Sequence, residues 1–280
     1  MAERSASVTA RGVAMLRAAH QFIDGEPRIL DDPVITRLFG PETEAYIRGQ
    51  EERYQSRAAR GLRSHVVLRS RFAEDSLAAA VARGVRQYVL LGAGLDTFAY
   101  RQPEWAEAID IIEVDHPSSQ ADKRRLLADA GISIPSNVRY VDIDFEHETL
   151  IDGLRRCAIA FDRPTFFSWL GVTMYLTREA IDAVLDTVTS FARGSEIVLT
   201  YAQPPEPGDP TGGFFAERAA AIGEPWLSYF TPPEIAALLT SHGFSAVRFL
   251  TRDDAERQYY AGRGDGLPPP RRISIVSATV

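Results

Sequence analysis

From residue 86 onward the chain alternates short apolar runs with stretches of helical periodicity. Five runs of strand length lie at 88–91, 108–114, 138–143, 164–170 and 196–202. Helical stretches separate later runs, at about 117–130, 147–156 and 178–192. Near-continuous apolar strands that alternate with helices are typical of a parallel sheet with helices on both faces. The pattern therefore predicts an α/β fold.

Two further apolar runs, 244–250 and 272–280, end the chain. A loop rich in glycine and proline, rather than a helix, is expected between them. Strands joined without a crossover helix are usually antiparallel. We therefore expect a seven-stranded, mostly parallel sheet that ends in an antiparallel C-terminal pair.

The segment before the sheet looks helical. We expect residues 1–84 to form an N-terminal cap that contributes to a ligand pocket, over a core of residues 85–280 with an insertion at about 203–230. An acid followed by proline suits the start of a helix, so Asp32 and Pro33 predict a short one. Apolar spacing predicts a longer helix over 64–83.

Composition narrows the class of protein. The chain has 280 residues and a net charge of −7, which disfavours nucleic-acid binding. Cys157 is the single cysteine, so neither an internal disulfide nor a multi-cysteine metal site is possible. No run is long enough to span a membrane, and the N-terminus lacks a signal peptide. We expect a soluble cytoplasmic protein without a metal; the oligomeric state stays open.

The first strand runs directly into Gly92-Ala93-Gly94. Glycine has no Cβ, so a Gly-x-Gly turn lets the backbone contact a ligand. A dinucleotide fingerprint needs a third glycine three residues after the second, where this chain has Thr97. The turn indicates either a structural turn or a ligand site, and Thr97 weakens the case for a pyrophosphate.

Acidic residues follow the next two strands. Asp115 lies about 20 residues beyond the glycine turn, where a carboxylate can accept hydrogen bonds from ribose hydroxyls. Alternatively, it caps the helix that begins near Pro117. Asp144 stands beside Phe145, a pair that suits an adenine ring or a simple strand-end turn. Together with the glycine turn, these residues predict an adenosine site at one edge of the sheet.

Four segments, in this order, resemble the leucine carboxyl methyltransferase family: LLGAGLDTFAYR, IIEVDHP, VDIDF and WLGVTMYL. That family belongs to the class I S-adenosylmethionine-dependent methyltransferases and includes bacterial O-methyltransferases of secondary metabolism. The resemblance covers about residues 10–202. It implies a Rossmann-like methyltransferase fold and S-adenosylmethionine as the cofactor.

The resemblance also implies roles for particular residues. The cofactor contacts it implies are Gly92, Ala93 and Gly94 for the methionine part, Asp115 for the ribose, Asp144 and Phe145 for adenine, and Arg71 for the carboxylate. A guanidinium suits that last task because it can bind a carboxylate through two hydrogen bonds. Arg101 also matches a family position, and we expect it to form a structural ion pair.

The chain departs from the family pattern at Leu170, where the family often has a glutamate. The cofactor's ammonium then either loses a partner or binds a backbone carbonyl. The departure also weakens any transfer of protein phosphatase recognition to this chain.

The acceptor side is less defined. A carboxylate acceptor needs no base, whereas a phenol or an amine benefits from one. The candidates for a role beside the acceptor are Tyr175 and His65, and no histidine lies in a clear catalytic motif. We expect O-methylation of a carboxylate or hydroxyl on a small molecule or peptide. Aromatic residues at 214–230 either line an apolar acceptor pocket or pack a helical flap.

Two other functions remain as alternatives. A catalytically inactive cofactor-binding protein on the same scaffold is compatible with the departure at Leu170. A nicotinamide-dependent oxidoreductase shares the strand and turn pattern, but Thr97 and the absence of a Tyr-x-x-x-Lys pair oppose it.

Overall fold

The computed structural model describes residues 8–144, 147–206 and 210–280, and side chains in the last range from 213 onward. A seven-stranded sheet forms its centre. The strands are β1 (Gln87–Leu91), β2 (Asp110–Asp115), β3 (Val138–Asp142), β4 (Thr165–Trp169), β5 (Glu196–Thr200), β6 (Ala246–Phe249) and β7 (Ile275–Thr279). Their order across the sheet is β3-β2-β1-β4-β5-β7-β6. The first five strands pair in parallel, and β7 pairs antiparallel with both β5 and β6. The predicted mostly parallel sheet with an antiparallel C-terminal pair is confirmed.

Helices precede the sheet and cover both of its faces. Those before the sheet are α1 (Val8–Ile23), α2 (Pro33–Leu38), α3 (Thr43–Gly49), α4 (Glu51–Gln55) and α5 (Arg57–Ala82). Those after β2 are α6 (Pro117–Asp129), α7 (Leu150–Arg156), α8 (Arg178–Thr189), α9 (Pro210–Ala221), α10 (Pro232–Ser241) and α11 (Arg252–Ala255). The division of the chain into a cap of residues 1–84 and a core of residues 85–280 stays a prediction.

The central strands are apolar throughout because helices bury both of their faces. All five residues of β1 and all five of β4 are buried. The adjacent residues Phe166 and Phe167 of β4 point to opposite faces and belong to different apolar clusters. A continuous apolar run, rather than an alternating one, is the expected signature of such a strand.

Two of the N-terminal helices, α2 and α5, begin at residues whose side chains cap them. Asp32 caps α2, since its carboxylate accepts a hydrogen bond from the Ile35 N–H at 3.0 Å, and Pro33 occupies the first turn. Helix α5 starts at Arg57, before the expected residue 64, because Ser56 caps it. Its first two turns carry few large apolar side chains, so apolar periodicity did not reveal them.

The expectation of a loop between β6 and β7 is wrong in part. Helix α11 and a π-helical turn at Glu256–Tyr260 follow β6, and the glycine- and proline-rich loop comes only afterwards. Thr251 caps α11 by accepting a hydrogen bond from the Asp254 N–H at 3.1 Å. The helical part is too short to show a repeating apolar face, so periodicity could not reveal it.

Candidate functional site

The glycine turn folds back over the end of β2. The N–H groups of Gly92 and Ala93 both donate to the Val114 carbonyl, at 2.9 and 3.1 Å. Gly92 has φ +66° and Gly94 has φ +45°, a region that glycine enters without strain. A Cβ on Gly92 would come within 2.4 Å of a Val172 methyl carbon. The turn is therefore closely packed on one side and needs glycine at Gly92.

Asp115, at the end of β2, forms a hydrogen bond with the backbone of the glycine turn. Its Oδ2 accepts a hydrogen bond from the Gly94 N–H at 2.5 Å, and its Oδ1 accepts one from the His116 N–H at 2.7 Å. Burial raises the pKa of Asp115, and these backbone donors oppose the rise. The other sequence interpretation, a cap for α6, does not describe the carboxylate, because His116 supplies the cap through its Nδ1.

Asp144 lies just beyond β3, at the same edge of the sheet. Its Oδ2 lies 3.0 Å from His147 Nδ1 and 3.9 Å from His116 Nε2. Phe145, predicted to cover the adenine ring, lies outside the described residues. Because β3, β2 and β1 are neighbours, Gly92, Asp115 and Asp144 follow three adjacent strand ends, as the sequence predicted.

The segment after β4 reaches across to the glycine turn. Gly171 has φ +76°, and its N–H donates to the Thr200 hydroxyl at 2.7 Å. The Thr173 hydroxyl in turn donates to the Thr200 carbonyl at 2.8 Å. Leu170 is half-buried and packs against an apolar cluster. Its side chain therefore offers no charge to a ligand at this edge.

The structure corrects the choice of Arg71 as the residue that binds the cofactor's carboxylate. The Arg71 side chain is 45% exposed and pairs with Asp75 on its own helix, Nε to Oδ1, at 2.9 Å. Two helical residues are separated by about 200°, so Arg69 points the other way. A Cβ on Gly171 would lie 2.6 Å from Arg69 Nη1, which places that guanidinium beside the segment after β4.

Arg69 is a half-buried cation without an ion pair or hydrogen bond to any described residue. Burial lowers its pKa to about 10, and the nearby Arg17 charge adds to the effect. A guanidinium in such a place binds an anion readily, because an anion offsets the cost of burying the charge. Arg69, rather than Arg71, therefore fits the role of a carboxylate partner.

His65 and Tyr175, the two candidates on the acceptor side, are both neutral at ordinary pH. His65 lies one turn before Arg69, and burial together with the Arg69 charge lowers the pKa of its imidazole to about 3. Within the described ranges its ring has no hydrogen-bond partner. Burial raises the pKa of Tyr175, whose hydroxyl lies beside Thr9 and Trp226. A neutral imidazole can accept a hydrogen bond, and a neutral phenol can donate one.

The aromatic residues of the 203–230 insertion divide between packing and exposure. Phe230 is 7% exposed and belongs to the core, whereas Phe214 is 43% exposed. Trp226 and Tyr229 lie side by side, with ring centroids 6.1 Å apart, and both are half-buried. Core packing is thus established for Phe230, and a pocket role for the others stays a prediction.

Sequence reasoning missed a buried polar network behind the glycine turn. The Thr97 hydroxyl donates to Asp32 at 2.6 Å and accepts from Arg17 at 2.9 Å and from Arg101 at 3.1 Å. Arg101 also pairs with Glu74, Nη1 to Oε2, at 3.0 Å, which is the structural ion pair expected of it. Except for Thr97 and Arg101, these hydrogen-bonded partners lie at least 27 residues apart in sequence, so no local pattern could have revealed the network.

A second buried pair supports β2 below the site. Lys123 Nζ donates to Glu113 Oε2 at 2.6 Å, and the Tyr100 hydroxyl donates to the same oxygen at 3.0 Å. Glu113 and Lys123 are almost fully buried, and burial raises the pKa of Glu113 while the Lys123 charge opposes the rise. The pair joins α6 to β2 and so fixes the strand that ends in Asp115.

Two features are absent from the part of the chain that the structure describes. No helix there is both long and apolar enough to cross a membrane. Among the same residues, no group of histidine, cysteine, aspartate and glutamate side chains could hold a metal ion.

Solved structures with a similar fold support the sheet topology. The crystal structure of a Thermobifida fusca protein that is provisionally assigned as a methyltransferase has a similar fold. It matches with a TM-score of 0.58 at 18% identity, over 98% of this chain and 94% of that one. A DUF574 family protein from Streptomyces avermitilis matches with a TM-score of 0.57 at 18% identity, over 94% and 95%. At these identities the likeness establishes the fold alone.

Sequence relatives identify the family. A Bacillus subtilis protein, YktD, provisionally named an S-adenosyl-L-methionine-dependent methyltransferase, is 35% identical over 215 residues, 75% of this chain and 70% of that protein. A Mycolicibacterium gilvum protein with the same provisional name is 35% identical over 230 residues, 77% and 72% of the two chains. Residues 10–189 match the family model for leucine carboxyl methyltransferase. The chain therefore belongs to the leucine carboxyl methyltransferase family and is a methyltransferase.

Proposed function

We propose that this chain transfers a methyl group to an oxygen atom, a carboxylate or a hydroxyl, of a small-molecule or peptide acceptor. The chain is a methyltransferase enzyme, and its cofactor is S-adenosylmethionine, which the names of its relatives specify. This cofactor supplies a methyl group already activated by a sulfonium, so in-line displacement depends mainly on how the protein positions the two reactants.

The residues at the sheet edge fit the cofactor. In this proposal the backbone of the glycine turn contacts the methionine part, and Asp115 at the end of β2 accepts hydrogen bonds from the ribose hydroxyls; the positive φ angles of Gly92 and Gly94 and the hydrogen bond from Gly94 to Asp115 support it. Asp144 and Phe145 are proposed for adenine, as the family resemblance implies. The half-buried Arg69, which has no counter-ion among the described residues, fits the carboxylate.

The observation that supports an oxygen acceptor is the neutral imidazole of His65 one turn from Arg69. An imidazole with a pKa of about 3 is too weak a base to hold the proton of a hydroxyl, but with no described hydrogen-bond partner it can accept a hydrogen bond from that hydroxyl and orient it. The nearby positive charge lowers the pKa of the same hydroxyl. The same charge would attract a carboxylate, which needs no base. A protonated amine is disfavoured here, because the Arg69 charge one turn from His65 repels a second cation.

The test uses S-adenosylmethionine with a labelled methyl group and three sets of acceptors: carboxylates, phenols with alcohols, and amines. Base treatment releases the label from methyl esters but not from ethers, which separates the two oxygen classes. We expect label on an oxygen acceptor. For a hydroxyl acceptor, His65→Ala should lower kcat by about 10-fold, the loss of one orienting hydrogen bond, whereas for a carboxylate it should change kcat little.

His242→Ala is the matched control, because His242 pairs with Asp182 and Asp186 on α8. It should leave turnover unchanged. Label found only on amines would contradict the proposal. NAD titrated into the same protein preparation should not bind. A dinucleotide turn needs glycine where this chain has Thr97, and hydrogen bonds to Asp32, Arg17 and Arg101 hold that side chain in place.

A further inference from the structure

Four charged side chains behind the glycine turn form two hydrogen-bonded ion pairs. Two further charged side chains have no hydrogen-bonded partner of opposite sign among the described residues. Arg17 pairs with Asp32 at 2.9 Å. Arg101 pairs with Glu74 through two contacts, one of them at 3.0 Å. The remaining two charges are Arg69 and Asp96.

Asp96 has no cation within hydrogen-bond distance among the described residues. Its Oδ1 accepts a hydrogen bond from the Phe98 N–H at 2.8 Å, which forms a local turn. Its Oδ2 lies 3.9 Å from Arg17 Nη1, too far for a hydrogen bond, and Arg17 already binds Asp32 and Thr97. The Asp96 side chain is only 19% exposed, so water compensates its charge incompletely.

Arg69 and Asp96 both lie near the glycine turn. Asp96 follows Gly94 by two residues, and Arg69 reaches Gly171, the residue before the Val172 that contacts Gly92. The two charges are close enough to affect each other, since the Asp96 carboxylate partly opposes the fall in the pKa of Arg69. They do not form an ion pair with each other.

We propose that Asp96 binds the ammonium of the cofactor's methionine end and that Arg69 binds the carboxylate of the same end. An α-amino acid carries an ammonium and a carboxylate on the same carbon. It would therefore form one ion pair with Asp96 and one with Arg69 at the same time. The inference rests on the proposed function, because it requires S-adenosylmethionine in this site.

The test measures dissociation constants for three ligands by isothermal titration. S-Adenosylhomocysteine carries both charges of the amino acid, its des-amino analogue carries only the carboxylate, and 5′-methylthioadenosine carries neither. The variant is Asp96→Asn, which retains the Oδ1 acceptor for the Phe98 N–H and removes the charge. Asp253→Asn, at an exposed position on α11, is the matched control.

We expect Asp96→Asn to weaken S-adenosylhomocysteine by about 10- to 100-fold, the loss of one charge-assisted hydrogen bond. The other two ligands should bind the variant and the wild type equally. Equal weakening of all three ligands would assign Asp96 a purely structural role and overturn the inference. Unchanged binding of S-adenosylhomocysteine by Asp96→Asn would also overturn the inference.

The failure of the proposed function has a different signature. In that case the folded wild-type protein would bind none of the three ligands. If the wild type binds S-adenosylhomocysteine and Asp115→Ala does not, the cofactor site stands whatever Asp96→Asn shows. Thermal unfolding of each variant establishes that it is folded before titration.

Discussion

Arg69 and Arg71 carry the same guanidinium on the same helix, but their surroundings give them different chemistry. Arg71 is exposed and has Asp75 four residues away, an arrangement worth only a few tenths of a kcal/mol. Arg69 is half-buried beside Gly171 with no described counter-ion. A charge in that position raises the free energy of the ligand-free protein until an anion binds, so Arg69 is poised for a ligand.

Exchanging each arginine for methionine separates the two roles. Arg69→Met should weaken S-adenosylhomocysteine by about 10- to 100-fold, because a charge-assisted pair with the carboxylate is lost. Arg71→Met should leave the affinity unchanged, since its side chain points away from the site. Isothermal titration of both variants checks this. Equal losses in the two variants would show that Arg69 has no special role.

The choice between these arginines illustrates what the sequence could not supply. The residue types and spacings identified the glycine turn and Asp115, because a strand end places them by local geometry. Choosing between Arg69 and Arg71 requires knowing which face of α5 turns towards the sheet. Leu68, which is buried, and Phe72, which is half-buried, lie four residues apart on one face of the helix. Arg69 and Arg71 flank that face at about 80° on either side, so periodicity alone does not choose between them.

At the scale of elements, the strands were predicted well and the helix ends less well. Burial on both faces makes each central strand apolar throughout, as in Phe166 and Phe167, and that signal is strong in sequence. The start of α5 depends on one capping serine, Ser56, and α11 depends on Thr251. Caps of a single residue carry weak signals, because the same residues also occur in loops.

The segment after β4 is an element whose shape depends on one glycine. Gly171→Ala should cost about 1–2 kcal/mol of unfolding free energy, because an L-residue is strained at φ +76°. Its methyl group would also displace the Arg69 guanidinium, which lies 2.6 Å from that position. The variant should therefore bind S-adenosylhomocysteine more weakly as well as unfold more easily in urea.

Gly243→Ala is the matched control for this prediction. Gly243 follows α10 with φ +94°, and nothing lies within 4 Å of the position its Cβ would take. The control should lose a similar amount of stability and retain the wild-type affinity. If both glycine variants bind S-adenosylhomocysteine equally, Gly171 matters for backbone conformation alone and not for the position of Arg69.

At the scale of the whole molecule, the N-terminal helices complete the edge of the sheet. Ala10 of α1 lies over the glycine turn, with its Cβ 3.7 Å from where a Cβ of Gly94 would stand. Arg11 joins α1 to α6, with Nη2 2.8 Å from Asp122 Oδ2. Further along α1, Arg17 donates to the Leu95 carbonyl at 3.2 Å. A ligand against the glycine turn therefore contacts, or is covered by, the first turns of α1.

Arg11 should govern how long the cofactor product stays bound. In Arg11→Ala the first turn of α1 loses its link to α6, so S-adenosylhomocysteine should dissociate several-fold faster in stopped-flow measurements. Arg125→Ala is the matched control, because Arg125 pairs with the same Asp122 but lies on α6 itself. Both ion pairs are partly exposed, so each variant should lose less than about 1 kcal/mol of stability. Equal dissociation rates in the two variants would show that α1 does not restrain the ligand, and a faster rate in Arg11→Ala alone would show that the contact between α1 and α6 closes the site.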